Sequence, residues 1–141
     1  MTTIVACFKE RVMLSDSRTT DEDAGIKWTT RKIEKINGAL YGAAGDCIDI
    51  EAFIAWLRGE RKRRPKITDA GFTAMELNEK GILLWDYRLK PFAVGIDRHA
   101  IGSGAMAALA ALEMGADAKT AIEIACKIDT GSEGPIQMET L

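Results

Sequence analysis

The sequence is poor in the residues that most hydrolases and metalloproteins depend on: one histidine, three cysteines and three prolines in 141 positions. With His99 alone a multi-histidine metal site cannot be assembled, and a Ser-His-Asp triad would have to use that residue. Cys7, Cys47 and Cys126 are odd in number, far apart and without C-x-x-C spacing. That argues against a disulfide framework or a zinc knuckle and fits a reducing compartment. No apolar run reaches the roughly 18 residues of a membrane span, and no basic stretch precedes an apolar one at the N-terminus. The expectation is a cytoplasmic protein with no membrane contact. Charge is balanced as well, 19 Lys and Arg against 21 Asp and Glu for a net of -2, so no global field recruits nucleic acid or an acidic membrane.

Hydrophobic residues make up 47% and charged residues 28%, the balance of an ordinary folded domain, and the length fits a single one spanning 1–141. Thr3 to Phe8 and Val12 to Leu14 are nearly continuous apolar runs, which predicts a hairpin of strands covered on both faces. Thr20 to Lys27 is polar and reads as a loop. Arg31 to Ile36 and Ala39 to Ala43 flank Asn37-Gly38, a two-residue hairpin signal. Ile50, Phe53, Ile54 and Leu57 recur at helical spacing after Asp46. A third hairpin is predicted over Phe72 to Leu77 and Ile82 to Asp86, with a further strand at Phe92 to Ile96. Helices follow at Ala105 to Met114 and, capped by Asp117, at Ala118 to Ile128, then an edge strand at Pro135 to Glu139. Antiparallel hairpins with segregated helices predict an α+β layered domain rather than βαβ units.

Several features have plain readings. Arg58 to Lys66 holds six basic residues against Glu60 alone, without interleaved aromatics, and reads as a solvated loop or a docking patch. Gly102-x-Gly104-x-x-Ala107 imitates a dinucleotide fingerprint, but too few elements follow it for a nucleotide-binding half, so the glycines read as a tight strand-to-helix turn. His99 sits in the polar stretch Asp97-Arg98-His99 and reads as a surface residue. Cys7 and Cys126 read as inert core thiols, and Trp28, Trp56 and Trp85 as packing residues.

Met1-Thr2-Thr3 stands directly before a buried strand. Removal of Met1, expected because Thr2 is small, would leave a hydroxyl and a free α-amine on one residue. Such an amine titrates near pH 7.7 to 8.0, suitable for taking the hydroxyl proton without a histidine.

Thr2-Thr3-Ile4-Val5, Ser15-Asp16-Ser17-Arg18, Arg31-Lys32-Ile33-Glu34-Lys35-Ile36, Gly42-Ala43-Ala44-Gly45-Asp46, Ile101-Gly102-Ser103-Gly104 and Asp129-x-x-Ser132 occur in this order. Together they resemble the proteasome β-subunit family, most of all its HslV (ClpQ) type, over nearly the whole chain. The resemblance implies the four-layer αββα sandwich of N-terminal nucleophile hydrolases and a threonine-type endopeptidase. It implies Thr2 as nucleophile with its amine as base, Lys32 as the cation beside that amine and Asp16 as the carboxylate holding Lys32. It further implies Gly45 as the oxyanion donor, and Ser103, Asp129 and Ser132 as the set around the terminal amine and hydroxyl. Thr30, Ala43 and Cys47 match positions lining the pocket for the residue before the cleaved bond.

No metal or organic cofactor is implied. The implied partners are polypeptide substrates, further copies of the chain in a homo-oligomeric ring or double ring, and an AAA+ ATPase that unfolds substrates. Two departures stand out: a second helix expected after Leu57 is missing, and Met1 is still present, which would acylate the amine. The alternatives are an amidase on a small substrate and a silent structural or assembly subunit that keeps Met1.

Overall fold

A computed structural model describes residues 1–141. The chain opens with β1 (Thr3–Cys7) and β2 (Val12–Ser15), an antiparallel hairpin in register from Ile4 opposite Ser15 to Cys7 opposite Val12. β3 (Arg18–Asp21) and β4 (Ile26–Thr29) form a separate two-stranded hairpin. β5 (Ile33–Ile36) and β6 (Ala39–Ala44) follow, then α1 (Cys47–Leu57), β7 (Thr73–Asn78), β8 (Gly81–Asp86), β9 (Pro91–Ala93) and β10 (Arg98–Gly102). Helices α2 (Ala105–Glu113) and α3 (Ala118–Ile128) and the last strand β11 (Gln137–Thr140) complete the chain.

One sheet runs in the order β10-β1-β2-β11 and the other β5-β6-β7-β8-β9, with antiparallel pairing throughout. Between them lies a core of Ile4, Ala6, Met13, Ile33, Leu40, Met75, Leu77 and Ile82. The alternate residues of the first hairpin, Val5, Cys7 and Leu14, face outward against Ala108, Leu112, Ala121, Ile122 and Ala125 of α2 and α3. Period-two alternation with an apolar layer on each side explains why β1 is buried at every position and reads as a continuous apolar run. On the far side α1 covers the second sheet, and Phe53 stands edge-on to Phe72 and Trp85 at 5.4 Å each. The layers are α2/α3, sheet, sheet, α1: an α+β, αββα sandwich.

The predicted turns and caps have clear physical causes. Asn37 and Gly38 take φ of 50° and 81°, both in the left-handed region that a two-residue hairpin of this kind demands. The side chain of Asp46 accepts from the Ile48 N–H and that of Asp117 from the Thr120 N–H, so each acid caps its helix. No second helix lies on α1. Residues 58–72 run irregularly to β7, pinned by buried Pro65 and Ile67 and by Asp49, whose carboxylate accepts from Thr68 N–H at 3.2 Å and Asp69 N–H at 2.9 Å.

Some sequence expectations need correction. The Thr20 to Lys27 loop contains parts of β3 and β4, and only residues 22–25 form the turn. β3 is polar and β4 leaves its apolar Ile26 and Trp28 exposed, so neither strand carries a burial period to detect. β10 lies where no strand was expected, because its sequence opens on the charged Arg98, and pairing with β1 rather than an apolar pattern defines it. His99 therefore belongs to a strand. It is half-buried, and its Nδ1 is buried without a hydrogen-bond partner. Trp28 is 49% exposed rather than packed, whereas Trp56 and Trp85 do pack, 6.1 Å apart. β9 is shorter than the Phe92 to Ile96 expectation, and β11 starts at Gln137 rather than Pro135.

Candidate active site

The termini of several elements converge on the first three residues. Thr2 leads into β1, which opens on Thr3, between Asp16 just after β2 and Ser103 just after β10. Fully buried Asp16 accepts from the Thr3 N–H at 2.9 Å and from the Glu133 N–H at 3.3 Å. Its two oxygens also accept from the Lys32 ammonium, at 3.1 and 3.0 Å. The Lys32 side chain is only 7% exposed, and its third bond goes to the carbonyl oxygen of Met1 at 2.8 Å. Three donors on an ammonium are thus used on a buried carboxylate and on the peptide bond that precedes Thr2. Burial drives the Lys32 ammonium below its ordinary pKa, and the charge and hydrogen bonds of Asp16 offset part of that fall.

On the other side, the Ser103 N–H donates to the Thr2 carbonyl at 2.7 Å. The hydroxyls of Ser103 and Ser132 both donate to one oxygen of Asp129, at 2.7 and 2.6 Å. Desolvation pushes the Asp129 carboxyl up, but these two hydroxyls, the Gly131 backbone and the nearby N-terminal charge together hold it below the usual range. Thr2, Asp16, Lys32, Ser103, Asp129 and Ser132 therefore form one connected network around the terminus.

Gly45 follows β6 at φ 140°, in the region that favours glycine. A Cβ there would lie 3.0 Å from Asp69 Oδ2 and 3.2 Å from Phe72 Cα. The wall behind the strand thus demands glycine, a reason separate from substrate approach. Two residues on, Cys47 is exposed at the start of α1. Thr30 donates its N–H to Ser17 at 2.8 Å and pairs its hydroxyl with Thr19 at 2.8 Å. Ala43 is 3% exposed, its methyl held in the cluster under α1.

Sequence reasoning passed over Thr3. It is fully buried, its hydroxyl accepts from the Gly104 N–H at 2.9 Å, and it shares a 2.6 Å bond with Ser132. The Thr-Thr doublet was the available signal, with Thr2 half-buried and Thr3 fully buried. The glycines of Ile101-Gly102-Ser103-Gly104 also gain a sharper meaning than a tight turn. A Cβ on Gly102 would overlap the Thr2 carbonyl, one on Gly104 would overlap the Thr3 hydroxyl, and one on Gly131 would overlap the Met1 side chain. These glycines make room for the N-terminal segment.

Among solved structures, HslV from Trypanosoma brucei superposes with a TM-score of 0.74 at 22% identity, over 97% of each chain. The fold is the HslV-like proteasome β type. BPH from Thiobacillus denitrificans, solved in complex with epoxomicin, superposes with a TM-score of 0.71 at 18% identity, over 99% of this chain and 97% of that one. No protein-family model and no curated protein matches the sequence. The HslV-like scaffold places Thr2 at the head of β1 and the chain's one buried ammonium beside it. Cys7 and Cys126 take no part in the network, and burial pushes both thiols up, which keeps them protonated at neutral pH. No helix is long and apolar enough to cross a membrane.

Proposed function

We propose that this chain, after loss of Met1, is a threonine-type peptidase of the N-terminal nucleophile class and a subunit of a proteasome-like compartment. The observation that carries the reading is the buried Lys32 ammonium, fixed by Asp16 at 3.0 Å and donating at 2.8 Å to the carbonyl directly before Thr2. A cation held there lowers the pKa of the amine released at Thr2 and favours a developing alkoxide. In the proposed reaction the α-amine takes the Thr2 hydroxyl proton as Oγ attacks the substrate carbonyl. The Gly45 N–H stabilises the oxyanion, the amine passes its proton to the leaving amine, and an ester joins Thr2 to the acyl fragment. Water, deprotonated by the same amine, then hydrolyses the ester and restores the hydroxyl.

Asp129, Ser103 and Ser132 orient the amine, and Thr30, Ala43 and Cys47 border the pocket for the residue before the cleaved bond. The same reading includes one domain spanning the chain, a homo-oligomeric ring or double ring in the cytoplasm, polypeptide substrates and an AAA+ unfoldase. Support comes from the likeness to HslV and to BPH, the latter solved with epoxomicin bound.

The test combines intact mass, native mass and hydrolysis of a fluorogenic peptide by the purified protein. Loss of one methionine, a closed oligomer and turnover together are expected. A fully processed oligomer that cleaves no peptide but hydrolyses a small amide would make the chain an amidase. Quantitative retention of Met1 would make it a silent subunit.

A further inference from the structure

The segment 129–134 carries Asp129 and Ser132 but no regular structure, and two of its residues are glycines. Something outside it must fix its place. Backbone N–H groups of Ser17 and Arg18 both donate to the Glu133 carbonyl, at 3.1 and 3.0 Å. The Arg18 guanidinium adds a bond from Nη1 to the Glu133 carboxylate at 2.6 Å and one to the Thr130 carbonyl at 3.3 Å. Its Nε donates to the Thr20 hydroxyl at 3.0 Å, which keeps the fork aimed across the gap rather than into solvent. The Arg18 side chain is 23% exposed, so these bonds are partly shielded from water. Arg18 thus grips the segment at Thr130 and Glu133, the residues on either side of Gly131 and Ser132.

We infer that Arg18 is a positioning residue, whose planar fork sets where the Asp129 carboxylate and Ser132 hydroxyl stand relative to the Thr2 amine. The inference rests on the proposed peptidase reading for its meaning in catalysis, although the placement of the amine can be measured without turnover. Both bonds to the segment leave Nη1, and the Nε bond to Thr20 fixes the plane in which that nitrogen points, an anchoring that a flexible ammonium lacks. Charged groups surround Thr2 from three sides: Lys32 and Asp16 from the β2 and β5 side, Asp129, linked to the Thr2 carbonyl through Ser103, from the end of α3, and the Arg18–Glu133 pair beyond it. The end of β10 presents only Gly102 and Ser103. Asp129 favours the ammonium form and Lys32 opposes it, so letting Asp129 drift away lowers the amine pKa.

Arg18→Lys keeps the charge and loses the fork. Glu133→Asp keeps the charge and shortens the arm that the fork grips. In Met1-free protein both variants should lower the pKa of the Thr2 amine, read from the pH dependence of its acylation rate. The acid limb of kcat should move with it, while kcat falls roughly tenfold to a hundredfold and KM holds. Lys27→Met, which removes a 59% exposed cation 3.8 Å from the same carboxylate, should leave all three readouts unchanged. A lower melting temperature with an unmoved amine pKa in both folded variants would make Arg18 merely structural and overturn the inference. An amine shift in protein that cleaves no peptide would uphold it while removing the peptidase reading.

Discussion

Gly102 and Thr2 are in direct backbone contact: the space where a side chain on Gly102 would begin is filled by the carbonyl oxygen of Thr2. Gly102 also has φ 96°, so a side chain there is opposed by both the backbone and its neighbour. Gly102→Ala and Gly104→Ala should displace the N-terminal segment and abolish peptide hydrolysis. Gly115, at the same φ of 96° but with nothing within 4 Å, is the control. Gly115→Ala should cost about 1 to 2 kcal/mol in thermal or denaturant unfolding and keep the activity of the parent.

Thr2 and Thr3 are adjacent and chemically identical, yet their substitutions should separate. Thr2→Ala should be inactive towards any peptide reporter with little change in melting temperature, and Thr2→Ser should keep partial activity, since serine lacks the methyl that restricts χ1. A version with residues fused irremovably ahead of Thr2 should be as inactive as Thr2→Ala, because its amine has become an amide. Thr3→Val should instead lose about 1 to 3 kcal/mol of stability, since the buried Gly104 N–H loses its acceptor. A blocked terminus that cleaves as fast as a free one would end the N-terminal nucleophile mechanism.

Lys32→Ala should lose both turnover and stability. The Lys32 side chain is buried on a carboxylate that has no exposure at all. Taking one partner away leaves Asp16 an uncompensated buried charge, a loss of about 3 to 5 kcal/mol. Lys32→Met combined with Asp16→Asn should recover much of the stability and none of the activity. Chemical denaturation of the two single variants and the double one measures the coupling.

His99 should make stability fall on mild acidification. Burial holds its imidazole below the ordinary value of 6.5, so the unfolded chain takes up its proton first. The contribution is complete above pH 6.5 and is lost as pH falls through the folded pKa. His99→Phe should flatten unfolding free energy between about pH 6.5 and pH 5, the range where an imidazole titrates. An imidazole titration by NMR at or above the ordinary value would contradict this.

Replacing all three cysteines by serine should leave peptide hydrolysis largely intact, since none bonds to the network around Thr2. The stability loss should trace mainly to buried Cys7, packed between β1 and the helices, rather than to exposed Cys47. Single-variant melting temperatures and the peptide assay check both halves.

Elements whose causes are local were legible in the amino-acid order. Asn37-Gly38 forces its hairpin through two positive φ angles, Asp46 and Asp117 start helices by accepting backbone N–H groups, and the unbroken apolar run of β1 announces a strand with a layer on each face. The sequence also held the order of short motifs that resembles the proteasome β family, and the terminal threonine whose chemistry needs no histidine. Elsewhere the outcome depended on how distant segments meet. β3 is polar, β4 leaves its apolar Ile26 and Trp28 exposed, and β10 opens on a charge, so strand pairing rather than a burial pattern defines them. Gly102 and Gly104 are glycines because Thr2 and Thr3, a hundred positions earlier, press against them. Lys32 is buried because Asp16 sits behind it. Local pattern encodes backbone preference and burial period, whereas contacts between distant segments depend on how the sheets close, and the site is made of such contacts.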